Sequence, residues 1–358
     1  MKREKTKAIY VGNIQIGGQN KCIIQSMTNI PTKDIKNVVE QINDLQKNGC
    51  EVVRLAILDK EDAYAIKIIK DKVSIPLVAD IHFNAELAII AVESGIDKIR
   101  INPGNIGDKE KIKLIVDACK DKNIPIRIGI NSGSLEKEVL EIFKKPCPEA
   151  MIHSAEKHIK ILEDLEFYDI CLSFKSSSVP LTIDTYRLAS EKFDYPLHLG
   201  VTEAGTYNLS SIKSSAALGA LLHDGIGDTI RISVSSNPIK EISICKNLLR
   251  NFDLVDDVPN LISCPTCGRI QYEMLPIVDE IEEFLATLKC DIEVAIMGCP
   301  VNGPQEASRA DIGIAGGKNS ATIFKKGKLF KIVDQKNLVF ELKKEILEMC
   351  KDRQNNDK

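Results

Sequence analysis

DKIRINPGNIGDKEKIKLIVDACKDKNIPIRIGIN (97–131) contains one full period of the chain's architecture. KIRIN (98–102) and IRIGIN (126–131) are short β-branched runs of strand character. Between them, EKIKLIVDACKDKN (110–123) spaces its apolar residues as an amphipathic helix does. A crossover of this length joins parallel strands. Each strand also ends on polar groups, Arg100 with Asn102 and Arg127 with Asn131.

The same unit recurs from about residue 20 to 250. Further runs are IIQSMT (23–28), EVVRLAI (51–57), LVADI (77–81), DICLSFK (169–175), LHLGV (197–201) and TIRISV (229–234). Helical segments such as DIKNVVEQINDLQKNG (34–49) and AELAIIAVESG (85–95) alternate with them, each stopped by a glycine. Eight strands alternating with helices over this length predict a (β/α)8 TIM-type barrel. A doubly wound open sheet is the alternative, and the polar residue at every strand end favours the barrel.

A barrel builds its site at the C-terminal ends of its strands. Read in order, those ends offer Arg54, Asp80 with His82, Arg100 with Asn102, Arg127 with Asn131, Lys175, Glu203, and Arg231 with Ser233. Five cations and two acids then share one mouth. Guanidinium forks bind phosphate through paired hydrogen bonds, and a lysine adds a point charge. The ligand expected is small and multiply anionic, most simply a diphosphate.

The chain's 48 basic and 51 acidic residues leave a net charge of −3. A nucleic-acid or membrane-surface protein would be lopsided. The basic start MKREKTKAIYVGN lacks an apolar core, and no later run is long enough to span a bilayer. A cytoplasmic protein is expected. Eleven cysteines spread over the length do not read as a disulfide framework. Cys50, Cys119, Cys171 and Cys245 sit singly in apolar surroundings and read as packing residues.

The barrel rhythm stops near NFDLVDDVPN (251–260), dividing a barrel over 1–252 from a small α/β domain over 253–358. The latter carries strand-like IEVAIMG (292–298) and DIGIAG (311–316), hairpin-like ATIFKKGKLFKIV (321–333), and the helices EMLPIVDEIEEFLATL and LVFELKKEILEMC. The tail KDRQNNDK (351–358) reads as frayed. SCPTCGR opens this domain with Cys264 and Cys267; Cys299 follows after 31 residues and Glu306 after six more. A C-x-x-C pair fits half a zinc site, a redox dithiol or iron–sulfur ligation. No second pair or C-terminal histidine completes a zinc set, while three thiols plus a carboxylate suit a cluster with one weakly held iron.

The motifs QSMTN, VVRLA, IPLVADIHF, DKIRINPGNIG, IPIRIGIN, SGSLEK, YPLHLGVTEAG, DGIGDTIRIS, SCPTCGR and NGPxEA run nearly end to end. With them the chain resembles the 4-hydroxy-3-methylbut-2-enyl diphosphate synthase family, in its bacterial two-domain form. The resemblance implies reductive ring opening and dehydration of 2-C-methyl-D-erythritol 2,4-cyclodiphosphate, in non-mevalonate isoprenoid biosynthesis. It implies a [4Fe–4S] cluster on Cys264, Cys267, Cys299 and Glu306, a flavodoxin or ferredoxin electron donor, and a head-to-tail homodimer. Substrate binding would fall to Arg54, Asp80, His82, Arg100, Asn102, Arg127, Asn131, Lys175, Arg231 and Ser233. Arg127, Asn131 and Lys175 would also act in catalysis, with Glu203 as proton donor. Glu203's alternative role is a salt bridge joining two arginines.

Lys318, Lys325, Lys326, Lys328 and Lys331 suggest a basic docking patch for an acidic donor; a solvated hairpin face is the alternative. The chain departs from the family pattern at Gln305, Ser210 and Ala217, where glycines are usual, and at Ser178, where Asp or Asn is usual. Gln305 is expected to restrict the loop before Glu306. Two functions outside this family are a zinc-stabilised barrel binding phosphosugars without redox chemistry and a non-catalytic assembly protein. The latter has no need of a ring of strand-end cations.

Overall fold

The eight-fold period is present in the structure, a computed structural model that describes residues 6–102, 106–299 and 303–356. Residues 103–105 and 300–302 of the quoted motifs lie outside the described residues. The chain divides into two compact units, Met1–Leu254 and Val255–Lys358.

The first unit opens with an antiparallel hairpin that the barrel period does not announce, β1 (Ile9–Val11) and β2 (Ile14–Ile16). Its turn is Gly12-Asn13, with Gly12 at φ 58, and its strands alternate apolar and polar residues. Eight parallel strands follow: β3 (Ile23–Met27), β4 (Val52–Ile57), β5 (Leu77–Ile81), β6 (Lys98–Ile101), β7 (Ile126–Asn131), β8 (Ile170–Lys175), β9 (His198–Leu199) and β10 (Thr229–Ile230). They pair in the order β8-β7-β6-β5-β4-β3-β10-β9. A bridge from Leu172 to Leu197 closes the ring, with the Leu172 N–H donating to the Pro196 carbonyl at 2.8 Å. Ile9, Val11 and Ile16 of the hairpin pack against Ile23, Val52, Val78 and Cys171, making an apolar floor at the strands' N-terminal ends.

Helices α1 (Ile35–Lys47), α2 (Lys60–Lys70), α3 (Ala85–Glu93), α4 (Lys109–Lys122), α5 (Lys137–Phe143), α6 (Pro148–Glu163), α7 (Val179–Lys192), α8 (Tyr207–His223) and α9 (Ile239–Arg250) fill the crossovers. Helix α1 buries Val38, Ile42 and Leu45, a stripe of helical period. Side chains of Asp59, Asn84 and Asp108 accept N–H bonds at the starts of α2, α3 and α4. The glycines that stop α1 and α3 have φ 102 and 88, the left-handed C-terminal cap expected of them.

The departures from the family pattern are accommodated. Ser178 caps α7, its hydroxyl accepting from the Leu181 N–H at 3.4 Å, as an Asp or Asn would. Ser210 and Ala217 are buried within α8, where no left-handed backbone is required. Ser210 donates from Oγ to the Ser233 carbonyl at 2.8 Å. Cys50, Cys119, Cys171 and Cys245 are buried, as their surroundings imply.

Two barrel strands are shorter than their sequence suggests. LHLGV and TIRISV share only two ladder positions. A Cβ at Gly200 would stand 2.9 Å from the Arg231 carbonyl oxygen, so the backbones crowd where pairing ends. Glu203, Arg231 and Ser233 therefore lie beyond the strands proper.

The second unit is a five-stranded mixed sheet: β11 (Asn260–Ser263), β12 (Glu293–Met297), β13 (Ile312–Gly316), β14 (Ser320–Lys325) and β15 (Lys328–Asp334). The first three run parallel and the last three antiparallel. Helices α10 (Met274–Leu285) and α12 (Leu338–Asn356) bury Met274, Ile281, Leu338, Leu342 and Ile346 against the sheet residues Val294, Ile296, Ile312 and Ile314. Short α11 (Gly303–Ala307) packs through Ala307 onto Ala295 and Met297. Strand β11 starts on Asn260, the last residue of what reads as linker, and α12 runs to Asn356, into the tail that reads as frayed. Among the described residues, no helix is long and apolar enough to cross a membrane.

Candidate active site

Residues two apart on a strand share a face. Cross-strand register sets Asp80 beside Arg100, Arg100 beside Arg127, and Asn131 beside Lys175. Arg54, Arg100 and Arg127 are 4%, 7% and 0% exposed. These side chains form a buried cationic layer under the mouth, and Lys175 is half-buried above it.

Arg100 is the best-held member. Its Nη1 lies 2.9 Å from His82 Nε2 and 3.4 Å from Asp80 Oδ1, and its Nη2 donates to the Gly129 carbonyl at 3.3 Å. A Cβ at Gly129 would come within 2.6 Å of Arg100 Nε, so the glycine of IRIGIN makes room for the arginine. Asn102 Oδ1 accepts the Gly129 N–H at 3.1 Å, and Asn131 Oδ1 accepts the Gly133 N–H at 3.0 Å. Past that turn, Glu136 ties the loop to α6: His158 Nε2 lies 2.7 Å from Oε1, and Ser154 Oγ donates to Oε2 at 2.8 Å. Burial alone would raise Glu136's pKa, but His158 and Ser154 hold it down to about 2.

Positive charge outruns its partners here. Asp80 serves two arginines, with Arg54 Nε at 3.8 Å as well as Arg100. Among the described residues, all three nitrogens of Arg127, Nη1 of Arg54 and Nε of Arg100 are buried without a hydrogen-bond partner. Burial lowers the pKa of Arg127 to about 10, with Arg100 pushing the same way. Burial and the neighbouring arginines also push Lys175 well below the ordinary lysine value. Burial would raise the Asp80 pKa, yet His82 and the arginines hold it far below the carboxylate range. Like charges gathered out of water are costly unless an anion joins them.

Arg231 stands differently from the other four cations. Its Nε and Nη2 donate to Glu241 at 3.1 and 3.0 Å, so a third acid, on α9, joins the two read at the strand ends. Glu203 is exposed, four residues past β9, at φ 53. Among the described residues it makes no ion pair, so its alternative role as a bridge between arginines is not seen here; Asp80 and Glu241 pair with the arginines instead. Ser233 is half-buried, held by its carbonyl.

Sequence reasoning overlooked Lys98, fully buried with Nζ unpaired among the described residues and its pKa lowered to about 8 by burial. It also overlooked Gln25, buried with neither side-chain amide atom bonded among the described residues. The period-two rule was the signal available, since Lys98 shares a face with Arg100 and Gln25 with Met27.

In the second unit, Ser263 pairs with Ile296, so the C-terminal ends of β11 and β12 lie side by side. Cys264 follows one strand and Cys299 the other. Gly298 donates its N–H to Cys264 Sγ at 3.2 Å, and Cys267 is exposed. A Cβ at Gly298 would meet Ile270 Cγ1 at 2.8 Å and Cys264 Sγ at 3.5 Å. Tyr272 donates to the Met297 carbonyl at 3.0 Å, its ring filling the space a Cβ on Gly316 would need. Glu306 lies in α11. Gln305 is helical there, with no positive φ, so the backbone restriction expected of it does not arise. Three soft sulfur donors with one main-chain N–H already on sulfur suit an iron–sulfur group. Among the described residues, no three His, Cys, Asp or Glu side chains gather as the ligands of a single ion.

The lysine patch is partly neutralised. Lys331 Nζ lies 2.5 Å from Glu341 and 2.9 Å from Glu345, and Lys325 lies 3.0 Å from Glu345.

The family model described as the GcpE TIM-barrel domain matches residues 6–246, and the GcpE protein C-terminal domain matches 260–348. A relative from Clostridium perfringens is 55% identical over 96% of this chain and 98% of its own length. Relatives from Caldanaerobacter subterraneus and Bacillus cytotoxicus are each 52% identical, over 98% and 96% of this chain and 99% and 94% of their own lengths. All three are named 4-hydroxy-3-methylbut-2-en-1-yl diphosphate synthase (flavodoxin). With one family spanning both units and half the residues shared along nearly the whole length, the chain belongs to the GcpE family.

Proposed function

We propose that this chain is a 4-hydroxy-3-methylbut-2-enyl diphosphate synthase. It would open 2-C-methyl-D-erythritol 2,4-cyclodiphosphate reductively in the cytoplasm, as a head-to-tail homodimer served by flavodoxin or ferredoxin. The observation that carries the reading is Arg127, fully buried among Arg54, Arg100 and Lys175 with three guanidinium nitrogens that find no partner among the described residues. A compact dianion that becomes a trianion is the ligand such a layer suits.

The balance of the reaction explains that demand. Two electrons and one proton convert the cyclic dianion into a linear trianion and water. The new charge appears on the phosphate oxygen released from carbon. Arg127 and Lys175 stabilise that oxygen where no water competes, and Arg54 and Arg100 neutralise the rest of the diphosphate. Asp80 keeps these two oriented, and His82, Asn102 and Asn131 offer hydrogen bonds around the ring. Glu203 is proposed to protonate the departing hydroxyl. Its left-handed backbone is an uncommon conformation for a non-glycine residue and marks the position as one to test. A [4Fe–4S] cluster held by Cys264, Cys267, Cys299 and Glu306 would supply the electrons.

Phosphorus NMR of the anaerobic, iron-reconstituted chain with the cyclodiphosphate and a reduced viologen tests this. Conversion of the ring signals to a linear diphosphate is expected. A brown, fully loaded sample that leaves the ring intact would overturn the assignment.

A further inference from the structure

Glu241 sits in the first turn of α9 and is 3% exposed. It accepts four hydrogen bonds: from Arg231 Nε at 3.1 Å, Arg231 Nη2 at 3.0 Å, Ser26 Oγ at 2.9 Å and the Val234 N–H at 3.4 Å. Both carboxylate oxygens are occupied, and the bidentate grip fixes the plane of the guanidinium. Only Nη1 is left outside the grip. It lies 3.8 Å from Met27 Sδ, and the same sulfur lies 3.1 and 2.9 Å from Arg54 Nε and Nη2. Glu241 thus anchors one wall of the mouth from behind, through Arg231 and Met27 towards Arg54.

We infer that Glu241 is a positioning residue for diphosphate binding: it aims the Nη1 edge of Arg231 into the mouth and cancels that arginine's surplus charge. The inference rests on the proposed reading of the mouth as a diphosphate site. Arg231 then supplies directed hydrogen bonds, whereas Arg127 and Lys175 supply uncompensated charge. Ser26 holds the carboxylate from the outward side of β3, so the device joins the barrel's first strand to its last.

The test measures binding of inorganic pyrophosphate to the full-length, cluster-loaded protein by calorimetry, with KM and kcat for the ring-opening reaction. Glu241→Gln keeps the shape but loses the ion pair, and is expected to weaken pyrophosphate binding and raise KM about tenfold with kcat nearly unchanged. Arg231→Met should do the same, and the double variant should be no worse than Arg231→Met alone. Ser26→Ala, a milder change that keeps the fold if Glu241→Gln does not, should weaken binding about threefold. Equal or tighter pyrophosphate binding by Glu241→Gln would overturn the inference, since loss of a negative charge alone would favour the anion. So would additive losses in the double variant. Wild-type protein that ignores pyrophosphate would instead sink the diphosphate reading of the mouth.

Discussion

Arg100 lies across Gly129, its Nη2 bonded to the glycine carbonyl at 3.3 Å and its Nε where a Cβ would have to sit. The side chain and the missing methyl define each other. Gly129→Ala is expected to push Arg100 off His82 and Asp80, cost about 1–3 kcal/mol of stability and cut kcat/KM at least tenfold. Denaturant unfolding and steady-state kinetics check both. A variant with wild-type kinetics would show that Arg100's placement does not matter to turnover.

Arg127 should trade stability for binding. Replacing a buried, unpartnered charge with an apolar side chain of similar length removes a desolvation cost. Arg127→Met is expected to raise the ligand-free melting temperature by a few degrees, equivalent to about 1–2 kcal/mol. At the same time kcat/KM should drop about 100-fold. Calorimetry without ligand showing a lower melting temperature would mean the cation is compensated by a partner inside the barrel.

Glu136 links acid sensitivity to the loop after β7. Its pKa is lowered from the ordinary 4.5 to about 2, so its ionised form is favoured by folding. That contribution is complete above pH 4.5 and vanishes as pH falls towards 2. Urea midpoints for the wild type should fall more steeply across this window than those for Glu136→Gln. Parallel curves would show that the contacts with His158 and Ser154 contribute nothing to folding.

Gly298→Ala would collide with Ile270 and disturb the N–H bond to Cys264. Iron content after anaerobic reconstitution should fall well below that of the wild type, while the barrel's circular dichroism and pyrophosphate binding stay intact. Full loading would show that the N–H bond to Cys264 is dispensable to the cluster.

With Lys325 and Lys331 tied to α12, Lys318, Lys326 and Lys328 remain as candidate docking charges. Reversing these three to glutamate is expected to slow turnover with reduced flavodoxin about tenfold at low salt, but not turnover with a reduced viologen. An equal effect on both donors would place the lysines' role elsewhere.

Much of the barrel was legible because most of its strands are short apolar runs rich in β-branched residues, buried on both faces and separated from the next by a helix. The polar strand ends were legible for the same reason: one period fixes both fold and mouth. What escaped was whatever depended on a partner distant in sequence. Glu241 reads as an ordinary first-turn acid until Ser26, 215 residues away, is seen bonded to it. The pairing of Lys331 with Glu341 depends on α12 lying against the hairpin. Strand β11 escaped because a four-residue run beside an acidic, proline-containing stretch carries little pattern.

The hairpin of Ile9–Val11 and Ile14–Ile16 seals the barrel's lower end with hydrocarbon. At that floor the charge of Arg54, Arg100, Arg127 and the buried Lys98 faces hydrocarbon rather than water. On the proposed reading of the mouth, that leaves the solvent side to answer the charge, and capture of an anion there is expected to weaken as ionic strength rises.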